Sequence, residues 1–174
     1  MVAHSLRLTA FYSVRLRLVA HRQTPLAHAI KLVHYLYWTD LAHLSADVKV
    51  PAQVRRAIES QLVTNIGKLS LGERITAAKR CSHALIKVLL FDPDPRVFAA
   101  LLVNQRLRED DLLLVAGSDR VSAAQLQLLA NDRKWSYRYA IRKALVMNPS
   151  TPRATAALLL RFLSRRDQIG RAHV

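Results

Sequence analysis

The stretch from Tyr12 to Asp40 returns without a gap as Tyr139 to Asp167, a displacement of 127 positions. Under it Tyr12, Arg15, Leu18, Val19, Thr24, Pro25, Ala27, Ala29, Leu32, Leu36 and Asp40 meet identical partners. A shorter echo at 44 positions sets Val97, Ala100, Leu101 and Asn104 on Ile141, Ala144, Leu145 and Asn148. Three periods of about 42 residues span the long displacement, and that period belongs to stacked two-helix units. Such units bury their apolar faces against their neighbours, so the core is a ribbon along the stack. The repeat constrains the architecture and leaves the partner open.

Local signals agree on helix. Ala, Leu and Arg dominate the chain while Gly is scarce, a composition of good helix formers. Thr24-Pro25 and Thr151-Pro152 each put a capping hydroxyl ahead of a proline at the first helical position. Ser70 with Glu73, and Ser122 with Gln125, have the spacing of capping boxes. Asp92-Pro93-Asp94-Pro95 must end one helix and can start the next, and Pro51 opens another. Helices are expected near 5–20, 25–36, 39–46, 51–65, 70–90, 95–103, 108–116, 122–131, 136–147 and 152–164. Connections this short make sequential helices antiparallel neighbours. Gly67, in the least repeat-like stretch, is expected to mark a bend between two halves.

The segment Leu89-Leu90-Phe91-Asp92-Pro93-Asp94-Pro95-Arg96-Val97-Phe98-Ala99-Ala100-Leu101 resembles a HEAT-type repeat. Val50-Pro51-Ala52-Gln53-Val54-Arg55-Arg56-Ala57 and Tyr139-Ala140-Ile141-Arg142-Lys143-Ala144 are similar. The Val-Arg order of that family stands at Val14-Arg15, Val54-Arg55 and Ile141-Arg142, and is lost at Val97-Phe98. The turn Asn148-Pro149-Ser150-Thr151-Pro152 also resembles bacterial leucine-rich-repeat-variant and HEAT-like proteins of unassigned role. The resemblance implies an all-α fold, a right-handed α-solenoid of antiparallel helix pairs, as one domain over residues 1–167 with about four units. The cysteine-ligated iron–sulfur cluster of the leucine-rich-repeat-variant family is not expected here, because one Cys81 cannot supply its ligands.

The last residues depart from the repeat. Ile169-Gly170-Arg171-Ala172-His173-Val174 is the translation, in one frame, of a widely used sequencing adapter, so residues 168–174 are expected to be a non-native tail on a truncated reading frame. At the other end Arg7, Arg15 and Arg17 could suit a presequence, but Arg15 belongs to the repeat, which favours a structural helix. No stretch approaches the ~20 apolar residues of a membrane span. The single Cys81 excludes an intrachain disulfide; its expected state is a small buried thiol, and its expected compartment is the reducing cytoplasm.

A formal charge of +15 favours acidic partners. The recurring Arg15, Arg55 and Arg142 should line one side of a stack, either facing phosphates or forming a ladder with acids such as Asp47 and Asp132. Arg56, Lys79, Arg80, Arg133, Lys134, Arg138, Lys143, Arg161, Arg165 and Arg166 outnumber the acids around them. Arg133-Lys134-Trp135-Ser136-Tyr137-Arg138-Tyr139 is the densest basic and aromatic mixture, the composition that grips phosphates and stacks bases. The expected binding residues are therefore Arg15, Arg55, Arg56, Arg133, Lys134, Trp135, Arg138, Arg142 and Lys143. His28, His34 and His43 share no ligating face, and no catalytic set can be assembled, so neither a metal, a cofactor nor an enzyme is expected. Glu109-Asp110-Asp111 suits the start of a helix. The leading expectation is a non-enzymatic scaffold binding a protein partner through a basic concave surface. The alternative is a nucleic-acid-binding HEAT-like protein, and, behind it, an alkylated-base DNA glycosylase built on Trp38 with Asp40 or Trp135 with Asp132.

Overall fold

The computed structural model describes residues 10–164, all of them in helices or their connections, with no strand. The helices are α1 (Tyr12–Ala20), α2 (Leu26–Val33), α3 (Trp38–Ala46), α4 (Ala52–Asn65), α5 (Leu71–Arg80), α6 (His83–Leu89), α7 (Pro95–Leu102), α8 (Glu109–Ala116), α9 (Ala123–Asn131), α10 (Tyr139–Met147) and α11 (Arg153–Leu160). The fold is all-α among the described residues. Residues 5–9 of the first expected helix, Arg165, Arg166, Asp167 and the tail 168–174 lie outside the described residues.

The chain forms two compact units, Met1–Ile86 and Lys87–Val174. The division falls well beyond Gly67, which instead sits in a short 3-10 turn, Ile66–Lys68. In the first unit α1 packs on α2, α2 and α3 pack on α4, and α3 packs on α5. Val19, Ala29, Val33, Leu41, Val54, Ile58 and Leu62 supply its buried surface. In the second unit α7 packs on α9, α8 and α9 pack on α10, and α10 packs on α11. Its core is Phe98, Leu101, Leu112, Leu126, Leu129, Ile141 and Leu145, each essentially inaccessible. Burying one such side chain is worth about 1.5–3 kcal/mol, and these residues recur at helical spacing. The main partners of each helix are thus one or two helices away along the chain.

The sequence repeat is a repeat of structure. Displaced by 127 positions, α1 becomes α10 and α2 becomes α11 with no change at either boundary. The helices α1, α4, α7 and α10 begin at residues 12, 52, 95 and 139, so the period near 42 residues holds three helices rather than the expected two. Each period is punctuated by side chains that accept the backbone N–H two residues on, ending a helix and starting a turn. Asn104 Oδ1 accepts from Arg106 N at 2.9 Å, and Asn148 Oδ1 from Ser150 N at 2.8 Å. His21 Nδ1, at the position equivalent to Asn148, accepts from Gln23 N at 3.2 Å. Asp47, Asp92 and Asp132 do the same for Lys49, Asp94 and Lys134 at 2.8, 3.0 and 2.8 Å.

Both expected capping boxes are formed. Ser70 Oγ accepts from Glu73 N while Glu73 Oε2 accepts from Ser70 N; Ser122 and Gln125 are joined likewise. Ser122→Ala is expected to cost about 1 kcal/mol, because the Gln125 N–H of α9 loses its side-chain acceptor. Urea denaturation should show a lower midpoint at unchanged slope, with Ser122→Asp restoring most of the loss.

Three helix starts at prolines differ from expectation, that of α4 at Pro51 (ψ 137°) among them. Pro25 and Pro152 are the N-cap residues themselves, with ψ of 130° and 133°, rather than first helical residues. Their ring fixes φ, their carbonyl takes the first helical N–H bonds, and no threonine cap forms at either start. The helix expected over 70–90 is broken at Cys81, which is extended at ψ 165°. Ser82 then restarts the chain by accepting from Leu85 N and Ile86 N through its carbonyl. The break turns Cys81 and Leu85 inward together, both 0% exposed, and makes Cys81 the small buried thiol that its neighbours suggested.

Candidate macromolecule-binding surface

In the first unit Arg15 rises from α1, where its Nη2 donates to Ala10 O at 3.0 Å. Its guanidinium lies 5.5 Å from the centre of the Tyr35 ring, just past the end of α2. Tyr12, on the same helix, accepts at its hydroxyl from Tyr37 N at 3.1 Å and donates to Asp40. Burial first, and then that bond to Asp40, push the Tyr12 phenol above its ordinary value. Arg55 and Arg56 sit on α4; Arg56 is exposed, whereas Arg55 is half-buried with its Nε lacking a hydrogen-bond partner.

The second unit reproduces the first arrangement. Tyr139 accepts at its hydroxyl from Ser164 N at 3.3 Å, the counterpart of the Tyr12–Tyr37 bond. Arg142 lies 4.7 Å from the centre of the Phe162 ring, the counterpart of Arg15 on Tyr35, and its Nε donates to Ser136 O at 2.6 Å. Each arginine thus lies near the equivalent ring and bonds a backbone carbonyl ahead of its helix, Arg15 through Nη2 and Arg142 through Nε. The expected ladder of arginines and aspartates is not how Arg142 is held. Asp132 and Asp47 each accept backbone N–H groups through Oδ1 in the turns they close.

The basic and aromatic run before α10 does come together, with one change of role. Lys134 Nζ lies 4.4 Å from the centre of the Trp135 ring, and the Arg138 guanidinium lies 5.5 Å from it. Trp135 is only 3% exposed, so it is a packed residue under two cations and offers no face to a base. Arg138 is also committed, its Nη1 bonding Glu109 Oε2 at 2.7 Å. Arg133, Lys134 and Lys143 are exposed, as are Tyr137 and Tyr139. Asp111 Oδ2, from the acidic run, accepts from Arg108 N at the start of α8, a cap rather than a catalytic group.

The pairs considered for base excision are tied into the scaffold. Trp38 Nε1 donates to Glu73 Oε1 at 2.6 Å, and Asp40 takes the Tyr12 hydroxyl. Bonds from the Ser70 backbone, then from its hydroxyl, hold the Glu73 carboxyl below the usual carboxylate range. Trp38, His43, Thr76, Lys79 and Arg80 line a cleft of about 220 Å³ between α3 and α5. Among the described residues no group of three or more His, Cys, Asp or Glu could hold a metal ion, and no helix is long and apolar enough to cross a membrane.

The residues that sequence reasoning passed over are Tyr35 and Phe162. They occupy equivalent positions, yet identity matching skips them because one is tyrosine and the other phenylalanine. The signal was an aromatic ring kept in both copies at one distance from a kept arginine.

No family model, curated protein or solved structure matches this chain. What the surface can do therefore rests on its chemistry: guanidinium groups fixed over aromatic rings, in a protein with a large excess of positive charge.

Proposed function

We propose that the chain is a non-enzymatic scaffold, a HEAT-like right-handed α-solenoid that holds an acidic macromolecule on a basic concave surface. One observation carries this reading. Two copies of a helical hairpin far apart in sequence fold to the same boundaries and set an equivalent arginine over an equivalent aromatic ring. Copies that kept only their fold would conserve buried positions; these also conserve a cationic posture at the surface. Within each compact unit, packing between helices that are near neighbours in sequence supports stacking of successive helices. Affinity then comes from many shallow contacts on a rigid surface, with charge speeding the encounter.

The test is a charge-matched comparison. Binding of poly-glutamate, single-stranded nucleic acid and duplex nucleic acid is measured for the parent, for Arg15→Gln/Arg55→Gln/Arg142→Gln, and for a control of equal charge, Lys49→Gln/Lys87→Gln/Arg120→Gln, at exposed positions outside both copies of the repeat. The first triple variant is expected to lose about tenfold in affinity for the preferred probe at physiological salt, about 0.15 M, and the control under about threefold. Equal losses would reduce the surface to a diffuse basic coat and end the scaffold reading.

A further inference from the structure

The chain has eleven aromatic residues, of which Phe11, Tyr35, Tyr37, Phe91, Tyr137, Tyr139 and Phe162 are exposed. Six of these seven fall within residues 10–37 and 137–164, the two copies of the repeat with their leading turns; Phe91 is the exception. Single exposed rings are ordinary on protein surfaces. Three in each of two equivalent hairpins are not, above all in a protein that buries Phe98 and Trp135 almost completely.

The same two segments contain no Asp or Glu at all. Residues 10–37 carry Arg15, Arg17, Arg22 and Lys31; residues 137–164 carry Arg138, Arg142, Lys143, Arg153 and Arg161. Tyr35 and Phe162 remain 64% and 61% exposed although a guanidinium sits over each. Ring identity changes between the copies while the ring itself stays, so the feature held in common is a π face rather than a hydroxyl. A bond to Ser136 O fixes the Arg142 guanidinium through Nε, which leaves its Nη groups for an outside acceptor. A planar fork beside an open ring suits a phosphate next to a flat heterocycle.

We propose that each copy of the repeat is a binding site for single-stranded nucleic acid, a base stacking on Tyr35 or Phe162 and the adjoining phosphate pairing with Arg15 or Arg142. The proposal rests on the scaffold reading and names its partner. Acidic polypeptide would engage the cations and leave the rings idle. Duplex would offer phosphates with its bases already stacked inside. Only an unpaired strand uses both halves of the site.

Fluorescence anisotropy with labelled oligouridylate, a duplex of equal phosphate count and labelled poly-glutamate, each over a salt series, tests this. Oligouridylate is expected to bind at least about tenfold more tightly than the other two. Tyr35→Ala and Phe162→Ala should each weaken it about tenfold while leaving the salt dependence unchanged, since stacking releases no counterions. Arg15→Gln and Arg142→Gln should each lower the log–log salt slope by about 0.7. Both rings are exposed, so helical circular dichroism should match the parent in every variant. Ring variants that bind like the parent would overturn the proposal, as would duplex binding as tightly as the single strand. Poly-glutamate binding that depends on Arg15 and Arg142 but not on the rings would also overturn it, and would leave the scaffold reading standing. Absence of binding by all three probes would remove both.

Discussion

Phe98→Ala is expected to destabilise the protein by about 3–5 kcal/mol, the largest loss available from one apolar truncation here. Phe98 is the largest fully buried side chain and lies on α7, in the core of the second unit with Leu101, Leu126 and Leu129. Removing the ring deletes its burial energy and leaves a cavity that close-packed helices can only partly fill. A domain is stable by about 5–15 kcal/mol in total, so the variant should unfold at a far lower urea concentration at unchanged slope. Phe98→Leu should recover most of the loss, because leucine refills the greater part of the volume. Phe98→Arg tests the position more sharply. It restores the Val-Arg order of the other first helices, yet it sets a cation at a position that is fully buried. It should be worse than alanine. A variant of Phe98→Arg as stable as the parent would show that α7 does not present this position to the core.

That contrast explains what the sequence could reveal and what it could not. Identical residues at 127 positions' separation marked four helices that have matching bounds in the two copies, because both share apolar spacing and turn chemistry, although the ranges expected from sequence ran past most of the observed ends. The two serine capping boxes were equally plain, since their bonds are local and need no tertiary knowledge. The break at Cys81 was not plain. Neither Gly nor Pro marks it, and the run from Leu71 to Leu89 keeps apolar residues at helical intervals through the interruption. Trp135 misled for a related reason. Composition shows that cations surround an aromatic ring, but burial decides whether the ring is platform or core. At Arg142 the acid ladder met competition: Asp132, at a helix end, accepts a backbone N–H two residues on. Tyr35 and Phe162 escaped notice because similarity, not identity, was kept between them.

Asn148→Ala is expected to cost about 3 kcal/mol, more than its size suggests, because it would strand backbone groups of two different turns. Asn148 is 5% exposed and follows α10. Its Nδ2 donates to Ala116 O at 2.7 Å and to Ser118 O at 2.9 Å, where α8 ends, while its Oδ1 accepts from Ser150 N. One amide therefore satisfies both the end of α8 and the turn into α11. Alanine removes all three bonds together and admits no group of similar shape to replace them. An unsatisfied buried backbone group costs about 1–3 kcal/mol, and water entering the gap would offset part of the sum. The loss should be confined at first to the turns. Amide hydrogen exchange should accelerate at Ser150 and through the first turn of α11 well before global unfolding, while α4 keeps its protection. Ser150→Pro, which deletes the N–H received by Oδ1 and also fixes φ at residue 150, leaves both donor bonds to the end of α8 in place. It should cost far less than Asn148→Ala if the two donor bonds to the end of α8 carry most of the energy. Equal costs would mean that Asn148 acts on its own turn alone, and that α8 is closed by other means.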